Sequence, residues 1–115
     1  MQTLFAHLTE WGCDVEGARA RFLDDDELYT DCLKIFDGDS CFTDLPVSLA
    51  RQDYAAAFDQ AHTLKGVAAN LGLTPLYDDI CALVEDLRAH RYDRTAQLYQ
   101  KIEQSHKHYH DLLGA

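Results

Sequence analysis

The run Ala61-His62-Thr63-Leu64-Lys65-Gly66 sets an imidazole, an ammonium three residues on and a missing side chain four residues on. On a helix, at about 100° per residue, these three positions lie on one face. An imidazole is nucleophilic near cell pH without a general base, so an accessible one can accept a phosphoryl group and release it again. An ammonium one turn away suits the charge of that group. A glycine inside a helix costs roughly 1 kcal/mol relative to alanine. Beside an exposed nucleophile, the reason to keep it is clearance for a second molecule.

Other candidate chemistry is weaker. In Ser105-His106-Lys107-His108-Tyr109-His110, His106 and His110 fall at i, i+4 and could share a metal ion, as in a metal-binding bundle. A dedicated site needs further ligands, and a helix turns His108 away, so no metal is expected. Asp24-Asp25-Asp26 lacks the spacing of a calcium loop and reads as a solvated helix start. Cys13, Cys32, Cys41 and Cys81 form no CxxC pair and no metal-ligand spacing. The first residues show no signal peptide, so a cytoplasmic location and reduced thiols are expected. Cys32 and Cys81 fall in apolar helical patterns and are expected to be buried.

The elements that must position His62 are helical throughout. Asp24 to Glu27 reads as a cap and acidic first turn, followed by Leu28, Cys32, Ile35 and Phe36 on one face. Asp37 to Ser40 is a loop, and Pro46 to Arg51 a short helix. Asp53 caps a helix to about Leu71, stopped by Gly72. Thr74-Pro75 is a cap and first-turn pair for a helix with Leu76, Ile80, Leu83 and Leu87 inward. Asp93 caps a last helix with Leu98, Ile102, Ser105, Tyr109 and Leu112 inward. Leu4 to Trp11 and Val15 to Phe22 are short helices.

In the central helix Ala57, Leu64, Val67, Ala68 and Leu71 cluster on one side, which should face the core. His62 projects nearly opposite, among Ala55, Phe58, Asp59, Lys65, Gly66 and Ala69. That outward face is unusually apolar, which suits docking of a protein. No strand, repeat or linker interrupts the pattern, so residues 1–115 read as a single all-α domain. The expected architecture is an antiparallel up-and-down four-helix bundle with additional short N-terminal helices.

At 115 residues the chain can bury a core without staples. Its net charge of −10 argues against binding nucleic acid or an anionic membrane, which require clustered cations. No run approaches the ~18 apolar residues of a membrane span. A protein partner is the better expectation, and nothing in the pattern demands a dimer, so a monomer is expected.

Ala61-His62-Thr63-Leu64-Lys65-Gly66 with Gly72 resembles the signature of histidine-containing phosphotransfer (HPt) domains of two-component phosphorelays. Asp53, Ala68 to Leu73, Leu76 and Leu83-Val84-Glu85 resemble the family too. So do Arg21-Phe22, Glu27-Leu28-Tyr29 and Leu33-Lys34-Ile35-Phe36, which extends the likeness from about Val15 to Arg88. The resemblance implies that His62 Nε2 takes a phosphoryl group from the aspartyl phosphate of a receiver domain and passes it to another. The partners would be receivers of a hybrid sensor histidine kinase and of a response regulator.

In that picture Lys65 steadies the phosphoryl charge, Gly66 leaves room for the receiver, and Phe58, Asp59, Ala55 and Ala69 form the docking face. The chain would be a phosphocarrier without kinase activity or cofactor, the receiver bringing the Mg²⁺. Some members place a glutamine on the following helix near the histidine, where this chain has Val84. The alternative is a helical adaptor that binds a receiver or other signalling protein through the same face without phosphorylation.

Overall fold

A computed structural model describes residues 1–114. Among these the chain forms seven helices: α1 (Gln2–Trp11), α2 (Val15–Arg21), α3 (Asp26–Asp37), α4 (Ser40–Ala50), α5 (Tyr54–Asn70), α6 (Thr74–Arg88) and α7 (Thr95–Gly114). The molecule is an all-α bundle. α4, α5, α6 and α7 pack successively on their neighbours, joined by short connections. Their shared core holds Leu45, Ala57, Ala61, Leu64, Ala68, Leu76, Ile80, Leu83, Val84 and Ile102, all fully buried.

The first three helices close the end where α5 finishes and α6 starts. Tyr29 of α3 donates its hydroxyl to the Leu71 carbonyl at 2.8 Å. Arg21 of α2 donates to the Ala69 and Asn70 carbonyls at 3.1 and 3.0 Å, a cation on the negative end of α5. The rings of Phe5, Tyr29 and Phe22 tie α1, α3 and the end of α2 together, with centroids 5.5 and 5.3 Å apart. The second half of α7 extends over this end, where Tyr109 donates to the Leu33 carbonyl.

Gly72 makes the α5–α6 turn possible. Its φ is +71°, and a Cβ there would stand 2.3 Å from the Asp14 carbonyl oxygen. The Asp14 N–H in turn donates to the Gly72 carbonyl at 2.8 Å. Gly72 thus both stops α5, as its sequence predicts, and admits the backbone that enters α2.

Several expected details are corrected. On α3 the buried residues are Tyr29, Thr30, Leu33 and Phe36, while Leu28 is 49% and Ile35 74% exposed. Helix α4 starts at Ser40, capped by Asp39, so Pro46 lies in its interior rather than in its first turn. Leu73, not Thr74, caps α6, with Pro75 still in the first turn. The Leu98 N–H bonds to the Arg94 carbonyl, so α7 starts after Arg94 and Asp93 stays in the turn. Val67 and Leu112 are half-buried yet pack against the core as expected, Ser105 is half-buried, and Ala61 is fully buried as well. Cys13 is the buried thiol; Cys32 and Cys81 are half-buried.

Candidate functional site

Helix α5 is started by Asp53, whose carboxylate accepts the Ala56 N–H at 3.2 Å. Ala57, Ala61, Leu64 and Ala68 then recur at helical spacing and are buried, which fixes the rotation of the helix. Small residues on this stripe let neighbouring backbones come close. The opposite face therefore turns outward, and His62, Ala55, Asp59, Gly66 and Ala69 are exposed as expected. Phe58 and Lys65 are half-buried on the flank.

Among the described residues, neither ring nitrogen of His62 has a hydrogen-bond partner, and Lys65 makes no ion pair. The imidazole and the ammonium are both uncommitted. A Cβ on Gly66 would meet nothing within 4 Å, so the glycine serves no helix packing inside the bundle. The space it leaves opens outward, beside His62.

Phe58 has both neighbours and exposure. Its ring stacks with the His62 ring at a centroid distance of 5.7 Å and 30° between planes. Over its ring lies the Arg88 guanidinium, 5.4 Å from the centroid. Phe58 thus lies against His62 on one side and beneath the exposed Arg88 guanidinium on the other. Arg88 escapes sequence reasoning because it ends a helix whose periodicity marks it only as solvent-facing. Val84, one turn earlier on α6, is fully buried, so the register at which some family members carry glutamine gives this site no hydrogen bond.

The rival histidine cluster is committed elsewhere. His106 Nε2 donates to the Asp37 carbonyl and carboxylate at 2.9 and 3.0 Å, and its ring stacks on Phe42 at 3.7 Å. His110 Nδ1 donates to the other Asp37 carboxylate oxygen at 2.6 Å. That hydrogen bond and the carboxylate charge raise the His110 pKa above the usual imidazole value. His108 packs edge-on against Trp11, 4.9 Å away. These histidines join α7 to α1, α3 and α4, and among the described residues no group of three or more His, Cys, Asp or Glu is placed to hold a metal ion. No described helix is long and apolar enough to cross a membrane.

A family model described as "Hpt domain" matches residues 35–113, more than half of the chain. The match takes the end of α3 and all of α4, α5 and α6, and runs past Arg88 through most of α7. It leaves out α1, α2 and most of α3, where the sequence likeness had been read from about Val15. No curated protein and no solved structure matches the chain.

Proposed function

The chain belongs to the Hpt domain family, whose members act in histidine phosphotransfer of two-component signalling, and from that premise we propose that His62 is its phosphoryl acceptor. The group comes from the aspartyl phosphate of a receiver domain and goes on to another receiver. The observation that carries this reading is the α5 face, where an exposed, uncommitted imidazole stands one turn from a glycine whose added Cβ would touch nothing.

The step is a displacement at phosphorus. A His62 ring nitrogen forms the P–N bond as the acyl phosphate P–O bond breaks, and the receiver's aspartate leaves as carboxylate. Such transfer needs positioning and charge stabilisation more than groups that make bonds of their own. Phe58 fixes the ring on one side, Lys65 offers a cation to the phosphoryl oxygens, and Gly66 lets the receiver's loops approach. Ala55, Asp59 and Ala69 extend the contact along α5. The carrier has no kinase chemistry of its own; Mg²⁺ belongs to the receiver. A protein of this kind works beside its receivers in the cytoplasm and suffices as a monomer and a single domain.

Incubation with phosphorylated receivers and Mg²⁺, followed by intact-mass measurement, tests the reading. Wild type should gain the mass of one phosphoryl group, labile to acid, and His62→Gln should gain none. Binding of the same receivers with no mass gain would instead establish the adaptor role.

A further inference from the structure

The turn 89–94 between α6 and α7 is held more firmly than chain reversal requires. The Asp86 carboxylate, its side chain only 2% exposed, accepts from Arg94 Nε and Nη2 at 3.0 and 2.9 Å and from Arg91 Nη2 at 3.3 Å. The Arg91 N–H donates to the Asp86 carbonyl at 2.8 Å. His90 adopts φ +57°, a left-handed conformation disfavoured for a residue with a Cβ. Its Nδ1 shares a hydrogen bond of 2.8 Å with the Tyr92 hydroxyl. The Tyr92 ring lies parallel to that of Tyr54, with centroids 3.8 Å apart and 3° between planes.

These restraints shape a cleft of about 440 Å³ between the first half of α5 and the turn, lined by Tyr54, Phe58, Leu87, Arg88, His90 and Tyr92 among others. Its walls are mainly aromatic and aliphatic. The cleft is continuous with the phosphoryl face, because Phe58 forms a wall of one and stacks on the histidine of the other. Arg88 stands at the rim with its side chain 52% exposed, its one ion pair among the described residues a loose 3.7 Å contact with Glu85.

Resting on the phosphotransfer reading, we infer that this cleft is a specificity contact for the receiver, taking an apolar side chain of the receiver flanked by a carboxylate. The apolar walls require an apolar anchor, and preformed walls bind one with little loss of side-chain freedom. An exposed arginine on a chain of net charge −10 marks where a carboxylate of the partner can approach. The occupant is the receiver because a protein delivering a phosphoryl group to His62 must lie over Phe58, the side chain that the cleft and the histidine share.

The test measures phosphoryl transfer against receiver concentration for wild type, Arg88→Glu and Tyr92→Ala, over a panel of phosphorylated receiver domains. Direct labelling of His62 by phosphoramidate, which needs no receiver, and thermal melting run alongside. The expected result is a roughly tenfold or greater rise in the half-saturating receiver concentration, unequal among receivers. Phosphoramidate labelling and the rate at saturation stay at the wild-type level. Arg88→Glu changes an exposed side chain, so its result stands even where Tyr92→Ala loosens the turn. Wild-type concentration dependence in Arg88→Glu, or a parallel loss of phosphoramidate labelling, overturns the cleft's role alone. Wild type labelled by phosphoramidate but by no receiver overturns the phosphotransfer reading and the cleft's role with it.

Discussion

Gly66 and Gly72 sit six residues apart and do opposite work. A Cβ on Gly66 enters open space on a helix, whereas one on Gly72 strikes the Asp14 carbonyl from a backbone at positive φ. Gly66→Ala should therefore stabilise the fold by up to about 1 kcal/mol in urea unfolding. Gly66→Gln should change stability little yet slow transfer from a phosphorylated receiver markedly. A Gln variant that transfers at the wild-type rate would end the clearance explanation. The outward position of Gly66 was legible because its face follows from the apolar stripe of α5 and from His62 one turn away. The contact of Gly72 with Asp14 was not legible, because it joins backbone segments 58 residues apart in sequence.

At the scale of elements, α3 shows how periodicity alone leaves a choice. Leu28, Cys32, Ile35 and Phe36 form one apolar stripe, and Tyr29, Leu33 and Phe36 form another rotated by about a residue, with Phe36 common to both. The second is buried because its aromatic rings cover more area and the Tyr29 hydroxyl reaches a carbonyl at the end of α5. The end of α3 meets α7 through Asp37, His106 and His110, and the His110 contact should depend on pH. Since Asp37 raises the His110 pKa, this contact stabilises fully below the unfolded imidazole value of about 6.5. The contribution is lost as pH rises through the raised folded value; Asp111 adds to the upward shift and Lys107 opposes it. Wild type should thus lose its stability advantage over His110→Gln as pH rises through this range, followed by urea unfolding. Equal pH dependence in the two proteins would show that the pair contributes nothing.

Across the whole molecule, the family match begins within α3, yet α1, α2 and the start of α3 are built into the end of the bundle. Burial holds the Tyr29 phenol protonated by pushing its pKa up, so it remains a donor to Leu71. Tyr29→Phe should cost about 1–2 kcal/mol of global stability by leaving that carbonyl without its partner. Transfer to and from His62 should be unchanged, because this contact is made on the core side of α5 while His62 faces out. A variant that transferred poorly at full stability would place the N-terminal helices in the receiver interface instead of in support of the bundle.

The sequence by itself determined the all-helical class, the outward direction of His62 and the company of Lys65 and Gly66. All three depend on local periodicity within one helix. Tertiary structure decided which stripe of α3 is buried, which cysteine is enclosed and what the C-terminal histidines bind. It also brought Arg88 and the latched turn to Phe58. Each of these depends on packing between segments distant in the chain, where several local patterns are equally satisfactory until neighbouring helices compete for the same space.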